Sequence, residues 1–140
     1  MTPIVLIIRA AADDLGATIV AMAAKKAGCG TFELYRAPVA ATDYQFISNQ
    51  ISSTDLVIFS TNRVAIELQS LQHFVFGFCF AAGKRMIQIG TERLPFGVVD
   101  HYSSWGEIES IIVNEIKKYN GRTATERHKR FLPKYPEKTK

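Results

Sequence analysis

The stretch from residue 55 to residue 90 constrains the fold more than any other part of the chain. It begins with the apolar run DLVIF, continues through a helix-length segment that ends at Gly83, and finishes with the run RMIQIG. Two short, continuously apolar runs separated by a helix are typical of a β–α–β unit in a parallel sheet, where both faces of each strand are covered. We therefore expect a parallel sheet with helices on both faces.

The same alternation of strand and helix extends along the chain. Strands are predicted at residues 4–8, 31–35, 55–59, 85–89 and 96–99. Helices are predicted from residue 13 or 14 to 27, from 42 or 43 to 51, over 64–82, and from 103 or 104 to 119. Right-handed crossovers between parallel strands leave few topologies. The prediction is an α/β fold, a flavodoxin-like or Rossmann-like three-layer sandwich with a five-stranded parallel sheet in the order 2-1-3-4-5.

The spacing of large apolar residues predicts which helix faces are buried. In the first helix Leu15, Ile19 and Met22, with Ala23, recur at intervals of three and four residues. In the second helix Phe46, Ile47 and Ile51 form the predicted buried side. Such spacing places side chains on one helix face, which we expect to contact the sheet.

The segment at residues 64–82 carries alternating phenylalanines that read alone would suggest a strand. A strand there would run almost straight into the next one and leave no crossover, so we predict a helix. On a helix, Phe74 and Phe78 form one stripe and Phe76 and Phe80 another, about 200° away. One stripe can cover the sheet. The other predicts a homo-oligomer in which Phe76 and Phe80 lie at the subunit interface.

The composition predicts one soluble domain. The chain has 140 residues, 47% of them hydrophobic, which is enough for one core over residues 1–120. No apolar run approaches the length of a membrane helix, and no basic segment precedes the apolar residues 4–8, so neither a membrane contact nor a signal peptide is expected. With two cysteines and no disulfide pattern, the expected location is the cytoplasm.

The positive charge of the chain is concentrated in residues 121–140, a basic C-terminal tail. This segment holds seven lysines and arginines against two acids, while the whole chain has a formal net charge of +4. A basic tail could contact nucleic acid, although a solvated or subunit-wrapping arm is the commoner explanation.

The predicted binding site lies where the first and third strands end. Ligands of open α/β sheets sit beyond the carboxyl ends of the strands, at the point where the strand order reverses. Arg9 ends the first strand, and Ser60, Thr61, Asn62 and Arg63 follow the third. Arginine is suited to phosphate, and helix N-termini at this edge favour anions.

Several of these residues resemble the nucleoside 2-deoxyribosyltransferase-like family. The resemblance covers roughly residues 43–115 and rests on the pattern Gly-aromatic-x-x-Ala-x-Gly-Lys, the Gly that ends the next strand, and a Ser/Thr-Trp-x-Glu helix start. The matching residues are Gly77, Phe78, Ala81, Gly83, Lys84, Gly90, Ser104, Trp105 and Glu107. The resemblance implies a protein that acts on the N-glycosidic bond of a nucleoside or nucleotide, as a hydrolase or a deoxyribosyltransferase.

The chain departs from this family at the position of its essential carboxylate. The family has a glutamate two residues before the matching glycine, where this chain has Val75. The Gly-Pro turn of the family after the first strand is also absent. Glu67, near the start of the same helix and on nearly the same stripe as Phe74, is the predicted replacement carboxylate.

Two functional hypotheses follow. In the first, the protein is an enzyme with Glu67 as catalytic carboxylate and Arg9 as phosphate ligand. In the second, it is a non-catalytic protein of the same fold that binds a nucleotide-like ligand or other proteins. No cofactor is predicted, and the three histidines lack the spacing of metal ligands.

Overall fold

The computed structural model describes residues 2–61, 63–92, 99–103 and 106–120. Within these residues five parallel strands form one sheet: β1 (Ile4–Ile8), β2 (Gly30–Leu34), β3 (Leu56–Ser60), β4 (Arg85–Ile89) and β5 (Asp100–Tyr102). Their order, β2-β1-β3-β4-β5, confirms the predicted topology. The strand order therefore reverses between β1 and β3, whose carboxyl ends lie side by side.

In the same residues four helices cover the two faces of the sheet: α1 (Leu15–Lys26), α2 (Ala41–Ser52), α3 (Ile66–Ala82) and α4 (Ile108–Asn120). Helices α1 and α4 share a core with Ile7 and Ile58. Helices α2 and α3 share a second core with Leu6 and Phe59 on the opposite face. The result is the predicted three-layer α/β sandwich.

The central strand β3 explains why its sequence is apolar without interruption. All five of its residues are buried. Leu56 and Ile58 belong to the α1/α4 core, whereas Val57 and Phe59 belong to the α2/α3 core. Because successive side chains point to opposite faces, a strand covered on both sides requires apolar residues at every position.

The buried face of α1 differs from the prediction. Leu15, Ile19 and Met22 are 78%, 45% and 67% exposed, so the expectation that they contact the sheet is wrong. The buried positions of this helix are mostly alanines: Ala17, Val20, Ala21, Ala23 and Ala24. A line of small side chains lets the helix approach the sheet closely, and this outweighs the hydrophobicity of the larger residues on the other side.

Helix α3 is present as predicted and ends at Gly83, which has the left-handed φ of 68° that a glycine adopts readily. The prediction that a phenylalanine stripe covers the sheet is wrong. The buried side chains are those of Leu68, Leu71, Gln72, Val75 and Cys79. All four phenylalanines are partly buried beside this line, in pairs whose ring centroids are 6.3 Å apart for Phe74–Phe78 and 5.8 Å for Phe76–Phe80.

Three further expectations need correction or fall outside the described residues. The fifth strand is Asp100–Tyr102 rather than residues 96–99, of which 96–98 are not described. Phe46 is half exposed, although Ile47 and Ile51 of the same helix are buried as predicted. The basic tail, residues 121–140, lies outside the described residues. None of the described helices is long and apolar enough to cross a membrane.

An ion-pair network joins β4, β5 and α4. Arg85 donates hydrogen bonds to Glu115 at 2.8 and 3.0 Å and to Asp100 at 2.7 Å. Burial alone would lower the pKa of the Arg85 guanidinium, but the hydrogen bonds and negative charges of Glu115 and Asp100 outweigh it and raise the pKa. Arg85 therefore stays positively charged although it is largely buried.

Candidate functional site

The carboxyl ends of β1 and β3 meet as the sequence predicts. Ile8 pairs with Phe59, so Arg9 and Ser60 leave the sheet next to each other. The N–H of Ala65, just before α3, donates to the carbonyl of Ala10 at 2.8 Å and fixes the start of α3 beside the loop after β1. The predicted residues Arg9, Ser60, Thr61, Arg63 and Glu67 therefore lie at one edge. Asn62 is outside the described residues.

Arg9 is held by contacts within the protein. Its guanidinium donates to Glu33 Oε1 at 2.7 Å and to the carbonyl oxygen of Asp14 at 2.9 Å, and its side chain is largely buried. The charge of Arg9 is therefore already paired, and the arginine connects β1, β2 and the start of α1. A role as phosphate ligand would require it to leave Glu33, a partner that sequence reasoning missed because it depends on strand register.

The N-terminus of α1 is capped by the side chain of its N-cap residue, Asp14. Asp14 Oδ1 accepts from the N–H of Ala17 at 3.2 Å, and Oδ2 accepts from the N–H of Ala10 at 2.9 Å. This is an ordinary aspartate N-cap, which supplies a negative charge where the helix dipole is positive. The carboxylate of Asp14 is consequently committed to the backbone.

The N-terminus of α3 is open. Its N-cap is Ala65, which makes no side-chain capping hydrogen bond. Within the described residues, the N–H groups of Ile66 and Glu67 also have no hydrogen-bond partner. Arg63, two residues before the cap, is exposed and has a left-handed φ of 57°. An uncapped helix start with an arginine nearby is suited to an anion.

Two buried hydroxyl groups lie at the end of β3, the strand that precedes this helix. Within the described part of the chain, Ser60 Oγ and Thr61 Oγ1 are buried and have no hydrogen-bond partner. The neighbouring backbone is satisfied, since the carbonyl of Ser60 accepts from Gln72 and the N–H of Thr61 donates to Ile89. An unpaired buried hydroxyl costs about 1–3 kcal/mol, so these two groups are suited to a polar ligand.

The alternation of β3 indicates where these hydroxyls point. Ser60 continues the line of Leu56 and Ile58 toward the α1/α4 side of the sheet. Thr61 continues the line of Val57 and Phe59 toward the α2/α3 side, where α3 begins. Thr61 is therefore the hydroxyl closer to the open helix N-terminus.

A cavity of about 470 Å³ opens beside β2 and α2. Its lining includes Phe32 and Phe46, whose ring centroids are 5.8 Å apart, and Arg36, whose guanidinium lies 5.5 Å from the centroid of the Tyr35 ring. Its volume is that of a small-molecule site. Sequence reasoning missed this cavity because its residues come from a strand and a helix that share no motif.

The carboxylates at this edge differ in their exposure and in their hydrogen-bond partners. Glu67 lies exposed in the first turn of α3 and has no partner among the described residues. Glu92, which sequence reasoning did not single out, is also exposed, and its N–H donates to the carbonyl of Thr61. Val75, the residue at which the sequence departs from the family that it resembles, is fully buried in the α2/α3 core.

Other reactive groups in the described part of the chain do not assemble into a site. Among the residues that the structure describes, no group of three His, Cys, Asp or Glu side chains could hold a metal ion. Cys79 is buried in α3, and this burial raises the pKa of its thiol to about 12, partly offset by the charge of Lys84. A thiol of this kind stays protonated at neutral pH and is a poor nucleophile.

Comparison with solved structures identifies the fold. A response regulator receiver domain protein from Bacillus halodurans matches with a TM-score of 0.58 at 16% identity, over 82% of this chain and 97% of that chain. A flavodoxin-like domain from Synechococcus matches with a TM-score of 0.59 at 9% identity, over 85% and 99%. No protein-family model and no curated protein matches the sequence. The fold is thus flavodoxin-like, a fold that hosts many functions.

Proposed function

We propose that this protein binds a small, anionic, nucleotide-like ligand at the carboxyl edge of its sheet without catalysing a reaction. The observation that carries the proposal is the unpartnered hydroxyl of Thr61, on the side of the sheet where the uncapped helix α3 begins; Ser60 Oγ, at the same strand end, is a second unpartnered hydroxyl. Backbone N–H groups at a helix start, a hydroxyl and an arginine together form a suitable set of donors for a phosphate or carboxylate.

The cavity beside β2 supports a ligand with a planar apolar part. Both α2 and α3 cover the same face of the sheet, so the cavity and the start of α3 are on the same side. β2 and β3 are separated by β1 alone, which sets them about 10 Å apart. A ligand of nucleotide size could reach across the end of β1, with its anionic group at α3 and its ring against Phe32 and Phe46.

The hydrogen bonds and ion pairs that the carboxylates already form favour binding over catalysis. Glycosidic bond chemistry requires a held carboxylate beside the sugar carbon. Asp14 accepts hydrogen bonds from backbone N–H groups, Glu33 forms an ion pair with Arg9, and Val75 is a buried core residue. The acids that remain at this edge, among them Glu67 and Glu92, are exposed, and no described residue holds the side chain of either glutamate.

Calorimetric titration with adenosine 5′-monophosphate, adenosine and inorganic phosphate tests the proposal. We expect the monophosphate to bind more tightly than either part alone. Arg63→Gln should weaken binding about tenfold, because a hydrogen bond to a charged group is worth about 1.5 kcal/mol or more. Thr61→Val should weaken it as well. Lys118→Gln, which removes an exposed charge from the end of α4, is the matched control and should bind as the parent does.

Absence of heat with all three compounds at millimolar concentration would refute this ligand class. Binding that survives both Arg63→Gln and Thr61→Val unchanged would refute the proposed site.

The N-glycosidase hypothesis keeps one specific observation in its favour. Glu67, which has no partner among the described residues, lies in the first turn of the same helix whose start is the proposed anion site. Incubation with a panel of nucleosides and nucleotides, followed by chromatography of the free base, distinguishes the two functions. If base is released, Glu67→Gln should lower the rate about 100-fold or more, since a nucleophile or general acid contributes at least that. Glu109→Gln, at the first-turn acid of α4, is the control.

A further inference from the structure

The last turns of α1 and α4 expose four lysines on one side of the sheet. Lys25 and Lys26 end α1, and Lys117 and Lys118 lie in the last turn of α4. All four side chains are exposed. The helix dipole favours lysine in the last turn of any helix, so either pair alone would need no further explanation. The two pairs together, on neighbouring helices, form a positively charged surface.

The packing of the two helices brings the lysine pairs near each other. Both helices share one core, and both start where a strand ends and run back along the parallel sheet, so they point in the same direction. Ala23 and Ile108 line one groove between them. From this level α1 continues to Lys26 and α4 to Lys118. At 1.5 Å per residue α4 therefore extends about 10 Å past the end of α1, and with axes about 9 Å apart the two positions are about 14 Å apart.

The acids close to these lysines are already paired. Glu115 in α4 accepts two hydrogen bonds from Arg85, the first residue of β4. This contact also places the end of α4 at the edge where the strands begin, opposite the candidate ligand site. Of the four lysines, only Lys26 forms an ion pair with a described residue, at 3.4 Å to Glu109. The other three have no acidic partner within the described residues, so their charge is available to an external anion.

The sequence after α4 continues the positive charge. Helix α4 ends at Asn120, and residues 121–140 carry seven lysines and arginines against two acids. Two aromatic residues, Phe131 and Tyr135, are interspersed with these charges. Cations that contact phosphates, together with rings on which bases stack, are the usual composition of a surface that binds single-stranded nucleic acid.

The exposed side chains of α4 favour nucleic acid over a lipid bilayer. A helix that lies on a membrane inserts an apolar face between the lipid headgroups. The isoleucines of α4 are buried against the sheet, and its exposed described residues are all polar: Glu109, Ser110, Asn114, Lys117 and Lys118. This helix therefore presents charges and hydrogen-bond donors, which suit a phosphate backbone.

We propose that the last turns of α1 and α4, together with the basic residues 121–140, bind single-stranded nucleic acid through its phosphates. Such binding depends steeply on salt and little on base sequence, because lysines that neutralise phosphates release bound counterions. Exposed acids at the opposite edge, Asp13, Glu67 and Glu92, repel the same polyanion and direct it to the lysines. The proposal concerns the other edge of the sheet and does not depend on the proposed function.

Fluorescence anisotropy of the full chain with a labelled oligothymidylate, over a series of salt concentrations, tests the proposal. We expect the logarithm of the affinity to fall linearly with the logarithm of the salt concentration. The variant Lys25→Gln/Lys117→Gln/Lys118→Gln should bind about tenfold more weakly or worse at low salt. Its salt slope should be smaller by about 2, since each neutralised phosphate of a single strand contributes about 0.7.

The matched control lowers the net charge equally on the other face of the sheet. Gln45→Glu/Asn49→Asp/Gln69→Glu adds three acids at exposed positions of α2 and α3. It should bind the oligothymidylate nearly as the parent does, with an unchanged salt slope. Equal weakening in the control and the lysine variant would show that net charge alone governs binding, and would overturn the assigned surface.

Polyglutamate separates nucleic acid from polyanions in general. Phe131→Ala/Tyr135→Ala should weaken the binding of oligothymidylate about tenfold, because bases lose the rings on which they stack. Polyglutamate of similar charge should bind the parent more weakly than oligothymidylate does, and this variant should not change its affinity. Equal affinity of the parent for the two polymers would overturn nucleic acid as the partner.

Three further outcomes would overturn the proposal. The first is the absence of oligothymidylate binding at low salt. The second is binding that survives the triple lysine substitution but is lost in Arg63→Gln, which would place the nucleic acid at the candidate ligand site. The third is binding to vesicles that contain phosphatidylserine, in place of oligothymidylate, with loss in Met22→Glu. Met22 is 67% exposed on α1, so that result would assign the surface to a lipid bilayer.

Discussion

The polar side chains at the two ends of β3 differ in whether they are hydrogen-bonded. Before the strand, Thr54 Oγ1 donates to the carbonyl of Gln50 at 2.7 Å, and Asp55 Oδ2 accepts from the N–H of Ile4 at 2.8 Å. At the carboxyl end, Ser60 Oγ and Thr61 Oγ1 are buried, as Thr54 is, but have no partner in the described residues. The amino end is complete as it stands, while the carboxyl end lacks hydrogen-bond partners for two groups.

This contrast separates a stabilising role from a binding role. Buried polar groups in folded proteins are nearly always paired, and the exceptions call for an explanation. At the amino edge Lys84 donates to the carbonyls of Ser52 and Thr54, and Arg85 is paired with Glu115. Polar residues there hold elements together. At the carboxyl end of β3 the unpaired hydroxyls reduce stability, a cost that a bound ligand would offset.

The largest expected effect comes from breaking the network around Arg85. Glu115→Ala leaves a largely buried guanidinium with Asp100 as its remaining described acidic partner and should lower the free energy of unfolding by about 3 kcal/mol. Denaturant titration measures this. The matched control is Glu109→Ala, which removes an acid from the exposed pair with Lys26 and should cost about 0–1 kcal/mol. Equal losses in the two variants would contradict the role assigned to the amino edge.

The same substitution, threonine to valine, should affect the free energy of unfolding differently at the two ends of β3. Thr54→Val removes a hydroxyl that is bonded and should lower the free energy of unfolding by about 1 kcal/mol. Thr61→Val removes one that is unpaired and should leave stability unchanged or raise it by up to about 1 kcal/mol. Both threonines are almost completely buried, so burial does not distinguish them. If Thr61→Val destabilises as much as Thr54→Val does, Thr61 already has a partner, and the contrast fails.

The smallest effect concerns pH and the start of α2. Hydrogen bonds from the N–H groups of Ala40 and Val39 lower the pKa of Asp43 from its ordinary value of 3.8. Because the folded pKa is the lower one, this stabilisation is present above pH 3.8 and is lost as the pH falls through the folded value. Asp43→Ala should therefore lower the melting temperature slightly at pH 7 and not at all at strongly acid pH.

The control for this experiment is Asp13→Ala, an exposed acid with no hydrogen bond to a described residue. A melting-temperature difference between Asp43→Ala and the parent that stays constant from pH 7 to strongly acid pH would show that the charge of Asp43 is not involved.

The order of elements was predictable because it depends on local patterns. Continuous apolar runs mark strands that are covered on both faces, and Gly83 marks the end of α3 as expected. The faces of the helices were not predictable from spacing alone. In α1 both the large residues and the alanines recur at helical intervals, and which set packs on the sheet depends on how closely the helix can approach it.

The position of the candidate site was predictable, but the partners of its side chains and the neighbouring cavity were not. The strand order places Arg9, Ser60 and Thr61 at one edge, as expected. That Arg9 is paired with Glu33 depends on the register of β1 and β2, which the sequence does not specify. The cavity that Phe32 and Phe46 help to line likewise depends on the tertiary distance between a strand and a helix.

The hydrogen bond from Ile4 to Asp55 has a consequence for the folding rate. It joins residues 51 positions apart, and it closes the pairing of the two strands at the centre of the sheet. Most of the loop-closure entropy must be lost before these contacts contribute, so such non-local pairing slows folding. During synthesis β1 is made first and stays unpaired with β3 until residue 60 has emerged. Until then one edge of its apolar segment IVLII lacks the neighbouring strand, and an unpaired strand edge makes an incomplete chain prone to aggregation.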